Sequence, residues 1–190
     1  MQLSNVNVAA VIIFAIGGMG MLGAQDTADP YRVLVETSAD RLLIAREVAL
    51  AKWDSGAAVE DAPREAEVIS KAVREGDSKG LNQTMVSSFI RAQIEANKVV
   101  QYSLLADWHR SGSAPPHSPI SLTSDIRPRL DEIQEQLIGQ LPQAAKHSFD
   151  ASCRTDLAKA IGDYVSSRRD YDQRLFAIAL DRALSSVCKR

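Results

Sequence analysis

Glycine is scarce in most of this chain, and that scarcity limits the folds open to it. Four of the ten glycines lie within residues 1–24, and the other six are spread over all the rest. Aromatic residues make up 5% of the chain, whereas sandwiches and barrels need frequent turn residues and runs rich in aromatic or β-branched residues. No glycine-rich phosphate or dinucleotide fingerprint occurs. With 45% hydrophobic and 24% charged residues, the composition is ordinary for a globular protein and favours a helical bundle.

Prolines divide the chain after residue 24 into segments whose apolar residues recur with helical period. We expect helices near residues 30–53, 61–76 and 82–108, a fourth that begins at residue 127, and two shorter ones near 150–166 and 168–188. Residues 110–124, rich in serine and proline, are expected to form a loop. The sequence therefore predicts one all-α domain over residues 25–190, a single-domain bundle of about six helices with long first and third helices.

Residues 1–24 carry no charge and contain an unbroken apolar run from Val8 to Ile16. A short apolar core that ends in small residues is typical of a secretory signal peptide. We therefore expect cleavage near Ala24, a periplasmic or secreted protein, and no membrane association after cleavage. No Lys or Arg precedes the run, which leaves a short uncleaved anchor as the alternative. It is only the alternative because residues 8–24 reach no more than the lower limit of spanning length.

Two cysteines, Cys153 and Cys188, both follow that segment. An even number of cysteines in an exported chain favours a disulfide, here between the start of one late helix and the end of the next, with two buried thiols as the alternative. The histidines, His109, His117 and His147, do not lie at ligand spacing with a cysteine, so no metal site is predicted. A net charge of −2 gives no indication of nucleic-acid binding.

Several cations fall on helix faces that otherwise suit burial. Arg41 and Lys52 are eleven residues apart, which places both on one side of a long helix. Ala45 and Val48 lie between them on that side. Arg64 lies in the first turn of the second helix, where free N–H groups and the helix dipole favour an anion. Taken singly, each could be a solvated surface cation.

Neutral amides form a similar line on the third helix, where Gln93, Asn97 and Gln101 are spaced four apart. Taken alone, they could be hydrogen-bonding residues of the core or an exposed face. Arg127 begins the fourth helix and offers a further guanidinium, which can bind a carboxylate through two hydrogen bonds. Taken together, cations and amides from four helices could line one pocket that suits a small dianion. No paired nucleophile and base accompanies them, so any chemistry would depend on positioning and electrostatics.

Two segments of the sequence resemble the all-helical chorismate mutase family, and most closely its exported bacterial subclass. Residues 41–65 carry Arg41, Lys52 and Arg64 at spacings of eleven and twelve, and residues 93–108 carry the pair Asn97 and Gln101. The resemblance implies conversion of chorismate to prephenate, a one-step pericyclic rearrangement with no cofactor and no covalent enzyme intermediate. It also implies a homodimer in which each protomer supplies its own complete site.

By resemblance, two arginines, Arg41 and Arg127, would bind the two substrate carboxylates, with Asn97 supporting one of them. Lys52 and Gln101 would donate hydrogen bonds to the ether oxygen, which gains negative charge as its bond to the ring carbon breaks.

The ring hydroxyl end of the substrate would be held by Asp61, Arg64 and Glu65, partly through backbone groups. After the proline-rich loop the register with the family can shift by two residues, which makes Arg129 the alternative to Arg127.

The residue at position 101 predicts how activity depends on pH. Some relatives have Glu there, which must be protonated to donate, whereas Gln101 predicts nearly flat activity across mildly acidic to neutral pH. Two other functions stay open from sequence: an isochorismate pyruvate lyase of the same fold, and a non-catalytic exported helical module that binds a partner.

Overall fold

The computed structural model describes residues 29–169 and 172–189, and this part of the chain contains six α-helices and no β-strand. They are α1 (Arg32–Ser55), α2 (Ala62–Asp77), α3 (Gln83–Ser111), α4 (Arg127–Lys146), α5 (Cys153–Ser166) and α6 (Gln173–Leu184). The first and third are the longest, with 24 and 29 residues. The prediction of an all-α bundle of about six helices is therefore confirmed.

The helix ends follow local signals in the sequence. Gly56 and Gly112, with φ of 67° and 80°, close α1 and α3 in the left-handed conformation that glycine adopts most easily. The Asp61 side chain caps α2 by accepting from the backbone N–H of Arg64 at 3.2 Å. Asn82 caps α3 in the same way. Because these caps act within a few residues, the predicted boundaries of the first three helices differ from the observed ones by only one to three residues.

The loop predicted over residues 110–124 is shorter than expected, and this prediction is corrected at both ends. Helix α3 continues to Ser111, and a π-helical turn, Leu122–Ile126, leads directly into α4. Within that turn the Ser121 hydroxyl accepts from the N–H of Ser124, while Asp125 accepts from the N–H of Ser121 at 2.8 Å. Serine and aspartate favour loops because they bond the nearby backbone, but here those bonds stabilise a helical turn.

Helix α3 lies at the centre of the bundle, packed against α1, α2 and α6, while α4 packs against α1 and α2. The main core is apolar and includes the fully buried side chains of Leu42, Phe89, Leu137, Leu180 and Leu184. Burial of such side chains is the main force that holds helices together, at about 1.5–3 kcal/mol for each large one. The arrangement brings the second half of α1, the start of α2 and the middle of α3 alongside the start of α4.

A disulfide joins Cys153, the first residue of α5, to Cys188, which follows the end of α6. The predicted pairing is confirmed. The bond closes a loop with a sequence separation of 35, for which the chain-entropy model gives a stabilisation of about 3–4 kcal/mol. The Tyr31 hydroxyl lies 3.1 Å from Cys153 Sγ, so the bond is also packed against the start of α1.

The predicted signal peptide, residues 1–24, lies outside the described residues and stays a prediction. Among the helices that the structure describes, none is long and apolar enough to cross a membrane.

Candidate active site

A concave pocket opens between α1, α2, α3 and the start of α4. It is lined by all eight side chains that the sequence predicted for substrate binding: Arg41, Lys52, Asp61, Arg64, Glu65, Asn97, Gln101 and Arg127. They come from four separate segments, and they meet because α3 packs against both α1 and α2 while α4 covers the same two helices. A single chain thus assembles the whole set.

Arg41 is the most deeply buried cation of the pocket, with 6% of its surface exposed. Its Nε has no hydrogen-bond partner, and its Nη1 makes only a long 3.5 Å contact with the Leu130 carbonyl. Burial lowers the pKa of Arg41 to about 10, an effect that Asp131 opposes and the charge of Arg64 adds to. A buried guanidinium with an unused donor is costly, so this side chain is ready to receive an anionic ligand.

Lys52 is also buried, with 9% of its surface exposed. Its Nζ donates to the carbonyl of Val59 at 2.7 Å, and no carboxylate of the described residues forms an ion pair with it. Burial lowers the pKa of Lys52, while the more distant charges of Asp61, Glu65 and Glu60 act in the opposite direction. Two of the three ammonium hydrogens are therefore available to a ligand.

The two amides on α3 hold each other in a fixed orientation. Asn97 Nδ2 donates to the backbone carbonyl of Arg41 at 3.0 Å, so Asn97 must present its oxygen on the other side. That oxygen accepts from Gln101 Nε2 at 2.7 Å. Gln101 keeps one further N–H on the same nitrogen, and its Oε1 is buried without a partner. The arrangement turns Gln101 into an oriented, neutral donor.

At the N-terminus of α2, three polar side chains form the rim of the pocket. Asp61 is occupied by its capping bond, and its own N–H is 3.4 Å from Glu65 Oε1. Arg64 pairs with Glu67 at 2.7 Å and lies 3.6 Å from Asp131. These groups are more exposed than those on α1 and α3, which suits the outer end of a ligand.

The start of α4 places Arg127 and Arg129 in different surroundings. Arg127, half-buried, lines the pocket and makes no side-chain hydrogen bond or ion pair with other described residues. Arg129 lies on another face of α4, where it pairs with Glu47 of α1 outside the pocket. The geometry thus favours Arg127 as the predicted carboxylate ligand.

Of the interpretations open for the amide line, burial in the core holds for Gln93, whereas Lys98, which the sequence did not single out, lies within the pocket. Gln93 is buried in the core, where it donates to Ser38 Oγ at 2.9 Å and to the Ala183 carbonyl at 3.3 Å, so it joins α3 to α1 and α6. Lys98 lines the pocket but stood out in no motif. The available signal was its spacing of four from the apolar Ile94, which places both side chains on one face of α3.

The chemistry of the pocket follows from its donors. It offers cations and oriented amides to a small dianion, and it can stabilise negative charge that develops on an oxygen. Within residues 29–169 and 172–189, no group of His, Cys, Asp and Glu side chains is arranged to hold a metal ion.

Comparisons with known proteins agree with this chemistry. Residues 32–102 match the family model described as chorismate mutase type II. The chain is 30% identical over 182 residues to a protein named secreted chorismate mutase from Mycolicibacterium smegmatis, covering 95% of this chain and 99% of that one. It is 27% identical over 168 residues to the secreted chorismate mutase of Mycobacterium tuberculosis, covering 88% and 83% of the two chains.

Solved structures resemble the fold over nearly their whole length. The chorismate mutase of Burkholderia phymatum is 38% identical with a TM-score of 0.78, covering 85% of this chain and 98% of that one. The chorismate mutase of Burkholderia thailandensis is 31% identical with a TM-score of 0.79, covering 84% and 99%. The chain therefore belongs to the chorismate mutase family, in its exported, all-helical subclass.

Proposed function

We propose that the chain converts chorismate to prephenate in the pocket between α1, α2, α3 and α4. The observation that carries the proposal is the burial of two cations, Arg41 and Lys52, neither of which has a carboxylate partner among the described residues. Chorismate carries two carboxylates, and its ether oxygen gains negative charge as the bond to the ring breaks. The substrate thus supplies the anionic groups that the buried cations lack.

The carboxylates are assigned to Arg41 and Arg127. Both guanidiniums line the pocket, and each has donors free for a planar carboxylate. Binding would give Arg41 Nε an acceptor and would offset part of the cost of burying its charge. Asn97 supports this end indirectly, because it holds the backbone carbonyl of Arg41.

The ether oxygen is assigned to Lys52 and Gln101. Lys52 has hydrogens free beyond its bond to Val59, and Asn97 orients Gln101 so that one N–H stays available. Donors that are already oriented toward an oxygen lower the barrier most, because they need no reorganisation as charge develops. Loss of one such donor typically costs about 3–4 kcal/mol.

The outer end of the substrate, with the ring hydroxyl, is assigned to Asp61, Arg64 and Glu65 at the start of α2. Since the Asp61 side chain caps the helix, its contribution there would come through backbone groups. The rearrangement is unimolecular and moves no proton, so a site that only binds, orients and stabilises charge is sufficient for it.

The relatives named chorismate mutase support this reaction over the lyase and the non-catalytic module. The test is chorismate turnover by the mature chain, residues 25–190, followed by absorbance, with the product identified after acid conversion to phenylpyruvate. Lys52→Ala should abolish turnover, while Lys159→Met, at an exposed pair with Asp163 on α5, should not. A folded wild-type chain that leaves chorismate unchanged but consumes isochorismate would establish the lyase instead.

We also propose a homodimer with one complete site in each protomer. The dimer is what the family resemblance implies, and a complete site in each protomer is supported by all eight predicted ligands lining one pocket of a single chain. Sedimentation equilibrium of the mature chain should give twice the mass of the chain at micromolar concentration. Turnover per protomer should not change on dilution into a monomeric range, whereas a shared site would lose activity there.

Export is the remaining part of the proposal. The relatives named as secreted place the chain among exported proteins, and the apolar residues 1–24 are proposed as the signal peptide that directs it. N-terminal sequencing of the exported protein should begin near Gln25. An uncleaved N-terminus that stays with the membrane would establish the anchor instead.

A further inference from the structure

We propose that Lys98 is a positioning residue of the reaction, which holds the segment before α2 so that Lys52 is correctly placed. The inference rests on the proposed function, because it assigns the role of Lys98 through Lys52. It concerns a side chain that lines the pocket but has no free donor to offer the substrate.

Lys98 is buried, with 7% of its surface exposed, and its charge is fully paired. Its Nζ donates to Glu60 at 2.7 Å and to Glu65 at 3.3 Å, and it lies 2.8 Å from Glu95. An ammonium group has three hydrogens, and here each has a carboxylate. Burial favours the neutral amine, but these bonds outweigh it and raise the pKa of Lys98.

The three carboxylates belong to different parts of the molecule, and this makes the contact a tie between helices. Glu95 lies on α3 itself, Glu65 lies on α2, and Glu60 lies in the segment between α1 and α2. Tyr102, also on α3, donates to the other oxygen of Glu60 at 2.9 Å. Two side chains of α3 thus hold the short segment 56–61 from one side.

That segment carries the partner of Lys52. The carbonyl of Val59, directly before Glu60, is the acceptor of the 2.7 Å bond from Lys52 Nζ. Because neighbouring residues share the backbone, fixing Glu60 also fixes the carbonyl of Val59. Lys98 therefore acts on Lys52 through Glu60 and its neighbour Val59.

Lys98 also prevents the carboxylates from competing with the substrate. Glu60 and Glu65 both lie close enough to Lys52 for their negative charges to raise its pKa. Without Lys98 they would gain freedom to turn toward Lys52 and would leave the pocket more negative. A dianionic substrate would then be repelled, and the donor to the ether oxygen would be occupied.

The test compares Lys98→Met with Lys98→Arg in chorismate turnover at a temperature far below unfolding. A displacement of about 1 Å at a reacting group can cost about 100-fold in rate, so Lys98→Met should lower kcat by up to that factor and also raise KM. Lys98→Arg keeps a charge and several donors, and should recover most of the lost kcat. A purely structural role would lower the melting temperature and leave kcat of the folded protein unchanged.

A second pair of variants tests the route through Glu60 even where Lys98→Met does not fold. Glu60→Ala and Glu95→Ala each remove one carboxylate partner of Lys98 from a partly exposed position. Only Glu60 holds the segment that carries Val59, so Glu60→Ala should lower kcat several-fold more than Glu95→Ala. Lys159→Met serves as the unaffected lysine control.

The outcomes separate this inference from the proposed function. Wild-type turnover with unchanged kcat and KM in folded Lys98→Met, or equal effects of Glu60→Ala and Glu95→Ala, would overturn the role of Lys98 alone. Absence of wild-type turnover would overturn the proposed function as well. A fall in kcat with recovery in Lys98→Arg would establish Lys98 as a positioning residue.

Discussion

The two ends of the bundle bury different kinds of side chain. The pocket end, formed by the second half of α1, the middle of α3 and the starts of α2 and α4, buries the charges of Arg41 and Lys52. The disulfide end, formed by α5 and α6 with the parts of α1 and α3 that they cover, buries Leu180 and Leu184 and carries a covalent bond. Stability and chemistry therefore come from different places in one small domain.

The difference has an energetic reason. Buried cations without a partner reduce stability, because the desolvation cost is not repaid until a ligand binds. Apolar burial and a disulfide increase stability at the other end. Substitutions at the pocket end should therefore change activity more than stability, and substitutions at the disulfide end should do the reverse.

The strongest test of this difference is Arg41→Met at the pocket end. Methionine fills much of the space of arginine but carries no charge, so kcat/KM for chorismate should fall by the equivalent of about 2–5 kcal/mol. The melting temperature should stay the same or rise, because an unpaired buried donor is lost at the same time. Turnover and calorimetry on the same preparation check both. A large fall in melting temperature would show that Arg41 stabilises the fold instead.

At the disulfide end, a substitution is expected to lower stability and to leave activity unchanged. Replacing Cys153 and Cys188 together by Ala should lower the free energy of unfolding by about 3–4 kcal/mol. The value of kcat/KM at 25 °C should not change, because neither cysteine lines the pocket. Urea titration and turnover provide the measurements. Reductant should destabilise the wild type but leave the double variant unaffected, and a parallel loss of activity would contradict the independence of the two ends.

Local signals explain how much of the fold could be predicted. Asp61 and Asn82 cap helices through bonds that span three residues, and Gly56 and Gly112 end helices by their own conformation. Such signals are visible in sequence because the donor and the acceptor are close neighbours in the chain.

Tertiary contacts explain what could not be predicted. Gln93 and Gln101 lie on the same face of α3, yet Gln93 contacts α6 and Gln101 contacts the pocket. Which side chains reach which helix depends on where α6 packs, and no pattern on α3 contains that information. Lys98 was missed for the same reason, since its partner Glu60 lies 38 residues away in the chain.

The pH dependence of turnover tests the amide at the pocket end. The neutral donor Gln101 predicts a rate that is nearly flat from pH 5 to 7.5. At alkaline pH the rate should fall as Lys52 loses its proton, and this fall begins below the ordinary lysine range because burial lowers the pKa of Lys52.

Gln101→Glu is the matched variant. The carboxyl must be protonated to donate, so above its pKa the rate should fall by about tenfold per pH unit. Rate profiles of both proteins between pH 4.5 and 9 provide the measurement. A steep fall in the wild type between pH 5 and 7.5, or a flat profile in Gln101→Glu, would remove position 101 from the reacting end of the substrate.

The smallest expected effects compare two arginines on the first turn of α4. Arg127→Ala should lower kcat/KM by the equivalent of about 1.5–3 kcal/mol, mainly through KM, because a charged hydrogen bond to one substrate carboxylate is lost. Arg129→Ala removes a surface ion pair with Glu47 and should change neither activity nor stability by more than about 1 kcal/mol. Steady-state kinetics and urea titration distinguish them. The two residues are two positions apart, so they lie on different faces of α4. A reversed result would mean that the face of α4 that carries Arg129, not the one that carries Arg127, is turned toward the substrate.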